Sequence, residues 1–101
     1  MDKPIPFTPE EAKQCMLEIL RDGEVRPTSH CLNESMPKRG VTIRDILTAL
    51  RSGEIKRPAE WDNEHAEWKY RVEGEDTDGD ELTAITVILT TDMRLVIVPV
   101  F

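Results

Sequence analysis

This 101-residue chain holds only two cysteines, and Cys15 and Cys31 have no metal-type spacing. Both fall on helical patterns, so they read as reduced, small core residues rather than a disulfide framework. With His30 they do not complete a four-ligand zinc set, so no metal and no cofactor is expected. No window approaches the roughly 20 apolar residues of a membrane span. Met1 to Pro6 lacks the apolar core of a secretory signal, which points to the cytoplasm with no membrane partner. Gly-rich phosphate loops, paired CxxC, HExxH and nucleophile-elbow motifs are all absent. There is no internal repeat and no low-complexity segment.

What is present is charge, unevenly placed. Charged residues make up 33% of the chain and the formal net charge is −7, with a pI near 4.8. Residues 26–57 run the other way: Arg26, Lys38, Arg39, Arg44, Arg51, Lys56 and Arg57 face only Glu34, Asp45 and Glu54. A local cationic surface on an anionic body suits a phosphate-handling site, because the nearby field attracts the polyanion. Between Glu60 and Glu81, ten carboxylates oppose Lys69 and Arg71, so an RNA ligand should avoid that side.

The period of the pattern divides the chain. Thr8-Pro9-Glu10-Glu11 is a capping box with Thr8 as N-cap, and Ala12, Cys15, Met16, Ile19 and Leu20 then recur at helical spacing up to Gly23. A shorter helix is predicted from Thr28 or Ser29, ended by Pro37 and Gly40, with Leu32 and Met36 inward. His30 and Glu34 share another face. Thr42 opens a third helix with Ile43, Ile46, Leu47 and Leu50 as its stripe and Gly53 as its stop. From Glu67 the period becomes two, with Trp68, Tyr70 and Val72 on one side and Lys69 and Arg71 on the other. Strands are also predicted over Leu82 to Thr90 and over Arg94 to Phe101. In the latter, Pro99 implies an edge or a bulge. A weaker strand is placed around Glu54 to Glu60. The expectation is one α+β domain over residues 1–101, its N-terminal helices packed on a mainly antiparallel four-stranded sheet.

His30 or Lys56 is the candidate general base, imidazole being the side chain that exchanges protons near neutral pH. Arg71, with Lys69 or Arg39, is the candidate group for a developing phosphorane charge, Arg71 being able to grip a phosphate through two bonds. Arg39, Lys38 and Arg57 are candidate backbone contacts, and Tyr70 a candidate stacking ring if it faces the groove. His65 lies in a polar loop and reads as solvated.

Ser29-His30-Cys31, Glu34-Ser35-Met36, Arg39-Gly40-Val41-Thr42, Asp45-Ile46, Ala49-Leu50 and Gly53 resemble the pattern of a small bacterial domain of unknown function placed beside the BrnT and RelE-like toxins. Gly23 to Arg26, Lys56, the Trp68-to-Arg71 strand, Ile85 to Ile88 and Leu95 to Val98 are similar to the motility quorum-sensing regulator (MqsR) toxins. The resemblance implies a RelE-like (BECR-type) fold. It also implies a metal-independent endoribonuclease acting on mRNA, neutralised by a cognate antitoxin, with no DNA bound by the toxin itself. Lys56 falls where such toxins place a catalytic lysine, and Lys69 where they carry a glutamine. A second reading keeps the architecture without the chemistry, as a degenerate toxin-like module that docks a protein partner.

Overall fold

The computed structural model describes residues 3–101. Helix α1 (Pro9–Asp22) starts from the expected box. Thr8 accepts from the Glu11 N–H, the Glu11 carboxylate accepts from the Thr8 N–H, and Pro9 occupies the first turn, where a missing N–H costs nothing. Ala12, Met16 and Ile19 are its buried face.

Strand β1 (Glu24–Pro27) follows at once, outside the predicted set. A π-helical turn (Cys31–Ser35) runs into α2 (Met36–Arg39), and α3 (Ile43–Ser52) is capped by Thr42 with Asp45. Then come β2 (Glu60–Asp62), β3 (Glu67–Glu75), β4 (Glu81–Leu89) and β5 (Arg94–Val100).

The sheet has five strands in the order β1-β5-β4-β3-β2. β1 runs parallel to β5, and the other pairings are antiparallel. The four-stranded antiparallel expectation is therefore corrected to a five-stranded mixed sheet. Four residues ending in proline show neither alternation nor length, which is why β1 is silent in the sequence. The predicted strand over Glu54 to Glu60 reduces to one bridge, Glu54 with Glu73, and β2 begins only at Glu60.

One face of the sheet carries Tyr70, Val72, Leu82, Ala84, Leu95 and Ile97, and the helices cover it with Met16, Ile19, Cys31, Ile46 and Leu50. Complete burial of each larger aliphatic side chain contributes about 1.5–3 kcal/mol. Among the described residues no helix is long and apolar enough to cross a membrane.

Two departures from regular geometry set up the site. The first is the π-helical turn. Pro37 has no N–H to give the carbonyl four residues back, and its ring crowds that carbonyl, so the preceding turn widens. Met36 N–H bonds instead to Cys31 O, five residues back. The inward pair thereby becomes Cys31 and Met36, with 0% and 8% exposure, while Leu32 turns outward at 50%. This corrects the Leu32–Met36 face; of the two expected stops, Gly40 ends the helix in the left-handed conformation at φ 71°, while Pro37 lies inside α2.

The second is a bulge in β5. Thr86 pairs with Ile97 and Ala84 with Val100, so three steps on β5 match two on β4. Pro99 lies within the extra stretch, as its lack of a donor requires. The side-chain alternation is reset there. Val100 joins the core at 3% exposure, and Phe101 emerges opposite Thr83, with which it exchanges two backbone hydrogen bonds of 2.8 and 2.9 Å.

Candidate functional site

The π-helical turn and α2 lie against the far end of β5. Thr28 fixes their start: its N–H donates to Ile97 O, its hydroxyl donates to Val98 O, and the same oxygen accepts from Cys31 N–H. Ser35 fixes their middle, accepting from Val100 N–H just past the bulge. Between these clamps and the strand end lies a hollow of about 510 Å³. His30, Lys38 and Arg39 stand on its helical side, and Pro99, Val100 and Phe101 form its other wall.

His30 points its Nδ1 at Glu34 Oε2, 2.5 Å away. Both side chains are exposed, at 63% and 68%. The carboxylate fixes which nitrogen is engaged, so Nε2 is left facing outward, the arrangement that orients an imidazole as a base. Arg39 donates through Nη2 to the Glu81 carbonyl, tying α2 to the start of β4.

A second cleft of about 500 Å³ adjoins the first across this Arg39–Glu81 contact and the Phe101 ring. Lys56 and Arg71 line it, together with Glu54, Glu73, Glu75 and Glu81. The Arg71 guanidinium carbon lies 5.2 Å from the centre of the Phe101 ring, a cation–π contact. Among the described residues its only carboxylate neighbour within ion-pair reach is Glu73, at 4.0 Å, and its buried Nε has no partner. Two cations against four carboxylates make this cleft net negative. Counted over side chains, the His30 hollow, with Lys38 and Arg39 against Glu34, is net positive even with a neutral imidazole. A polyanion is favoured in the His30 hollow and repelled from the acidic cleft.

The expected residues are thus only partly gathered. His30, Lys38 and Arg39 share one hollow; Lys56 and Arg71 share the adjoining cleft. Arg57 is exposed and lines neither. Lys69 sits elsewhere, paired at 2.8 Å with Asp62, which also holds His65 Nδ1 at 2.8 Å. Lys69 and His65 together keep the Asp62 carboxyl well below the usual carboxylate range, and Asp62 in turn raises His65. That cluster ties the β2–β3 hairpin together.

Tyr70 belongs to the core. It is 4% exposed, and its hydroxyl accepts from Phe7 N–H at 2.9 Å, so its ring has no open face for a base. Burial also pushes its phenol up. The alternation of β3 had already put Tyr70 with Val72, opposite Arg71, and the helices cover that side. Phe101 is the residue that the pattern did not reveal, because only the bulge brings it out.

The family described as a domain of unknown function (DUF4258) matches residues 28–101, a span holding every residue of both cavities. No curated protein and no solved structure matches the chain.

Proposed function

We propose that this chain, which belongs to the DUF4258 family, is a metal-independent endoribonuclease. The observation that carries the reading is the His30–Glu34 pair at the mouth of a net positive hollow. His30 Nε2 takes the proton of a ribose 2′-hydroxyl, and the freed 2′-oxygen attacks the adjacent phosphorus. The P–O5′ bond breaks, and the leaving oxygen takes a proton from Lys38 or from water. The products are a 2′,3′-cyclic phosphate and a 5′-hydroxyl end. Lys38 and Arg39 meet the negative charge that grows on the phosphorane oxygens. Because DNA lacks the 2′-hydroxyl, it is not a substrate.

Helices on one face of a five-stranded mixed sheet also support a RelE-like relationship, and with it the role of an mRNA-cleaving toxin held inactive by an antitoxin. Lys56 and Arg71 then lie beside the reacting phosphate rather than on it, behind Phe101.

The test is incubation of the purified chain with single-stranded RNA, with and without EDTA. Cleavage with cyclic-phosphate ends in both arms, lost in His30→Ala, is the expected result. RNA left intact by the wild-type chain overturns it. The second cleft favours a different reading: its four glutamates suit a basic protein segment, as in a non-catalytic docking module. Intact RNA combined with a partner whose binding is weakened by Glu73→Lys would establish that reading instead.

A further inference from the structure

Phe101 is half exposed, at 51%, yet its position is closely held. Its backbone is locked to Thr83 by two hydrogen bonds, and the Arg71 guanidinium covers the ring on the side of the acidic cleft. The ring also forms part of the wall that faces Lys38 and Arg39 across the His30 hollow. One wall is apolar and aromatic, and the opposite side presents two cations and an imidazole paired with the Glu34 carboxylate. At about 510 Å³ the space falls within the roughly 300–1,000 Å³ of small-molecule sites. A ligand that satisfies both walls is a flat ring carrying an anionic group, and a nucleotide has that chemistry.

We infer that the hollow is a nucleotide subsite in which Phe101 is the stacking platform for one base of single-stranded RNA, while Lys38 and Arg39 receive its phosphate. This rests on the RNA-cleaving reading above and adds the element that holds the strand. Stacking tolerates any base, because every base has a π-face, so the subsite selects unpaired strand over duplex rather than one sequence. Arg71 acts here by backing the ring. Its charge, already shared with Glu73 and Phe101, holds the platform upright instead of binding the phosphate.

The experiment uses a 2′-O-methyl oligonucleotide, which cannot be cleaved by 2′-oxygen attack, and reads binding by fluorescence anisotropy. Phe101→Leu keeps the apolar bulk and removes the π-face. It is expected to weaken binding by about fivefold or more, and Phe101→Trp to restore it. A matching abasic oligonucleotide is expected to bind the wild-type chain more weakly than the base-bearing one, a comparison that needs no variant to fold. Equal binding of the two oligonucleotides, no loss in Phe101→Leu, or no binding at all overturns the inference. Base-dependent binding without RNA cleavage sinks the role given to His30 and leaves the subsite standing. Cleavage at wild-type kcat/KM by Phe101→Leu sinks the subsite and leaves the nuclease.

Discussion

The contact between α3 and β3 has no room for a methyl group at residue 74, and Gly74→Ala measures how much of the stability depends on that fact. A Cβ there would lie 2.3 Å from the Ala49 carbonyl oxygen and 3.0 Å from two further Ala49 backbone atoms, where ordinary contact begins at 3.4 Å. α3 must therefore retreat from the sheet by about 1 Å. Ile46 and Leu50, both fully buried on that helix, retreat with it. A buried leucine makes some 40–60 contacts of about 0.1–0.2 kcal/mol, and a gap of 0.5–1 Å loses a quarter or more of each. At a quarter of each contact the two side chains together then lose about 2–6 kcal/mol. Replacing glycine inside a strand returns about 0.5–1 kcal/mol, so the net destabilisation is about 1–5 kcal/mol, a range that includes the roughly 1–3 kcal/mol usual for overpacked cores. Urea unfolding followed by Trp61 and Trp68 fluorescence reads this as a lower midpoint at unchanged slope. Because the clash is with backbone atoms, Ala49→Gly does not rescue it. A Gly74→Ala protein within about 0.5 kcal/mol of wild type would refute the close approach of helix and strand.

Acid should weaken the fold through two carboxylates. Hydrogen bonds from Thr77 and Thr42 hold Asp45 below the usual carboxylate range, and Lys69 and His65 do the same for Asp62. A depressed folded value contributes stability above the unfolded pKa and loses it below. The melting temperature should therefore fall from about pH 4 downward, and Asp45→Asn with Asp62→Asn should flatten that fall; an unchanged slope refutes it. Lys13 donates to the carbonyls of Leu50, Arg51 and Gly53 at 2.8, 3.1 and 2.6 Å, closing the C-terminal end of α3. Lys13→Met should cost about 1–3 kcal/mol in chemical denaturation, since charge-assisted bonds to orphan carbonyls are lost. In RNA cleavage, His30→Ala should forfeit a general-base factor of about 10²–10⁴. Glu34→Gln should cost less, acting on kcat and on the pH profile, whereas Lys38→Ala should act on KM; the same loss from all three would refute the division of roles.

Local chemistry explains what the sequence disclosed. The Thr8 capping box, the α3 start at Thr42, the α1 stripe, the alternation of β3 and the apolar β4 are patterns written within a few neighbouring residues, and the structure carries each of them. What stayed hidden depends on partners far along the chain. β1 exists because Glu24 to Pro27 find Arg94 to Ile97. Tyr70 is core because helices cover the side of β3 on which its alternation had already placed it. His30 and Glu34 were legible as a pair at helical spacing, but the direction of their hollow was not, since the widened turn at Pro37 sets it.

The two prolines therefore shape the site more than any charged residue does. Pro37 widens the preceding turn and exchanges Leu32 for Cys31 in the core, which leaves His30, Glu34 and Lys38 along an outer rim. Pro99 lies in the bulge that moves β5 by one residue. Without the bulge, strict alternation from Ile97 would put Pro99 inward, Val100 outward and Phe101 into the core. With it, Val100 is buried and Phe101 stands between the acidic cleft of Arg71 and the basic hollow of His30. A proline that merely ended a helix, or merely marked a sheet edge, would have built neither wall. The cationic stretch at residues 26–57 likewise gains its meaning from this geometry. Lys56 is drawn into an acidic neighbourhood, Arg57 faces solvent, and Lys38 and Arg39 remain as the cations that a phosphate could reach beside an oriented imidazole.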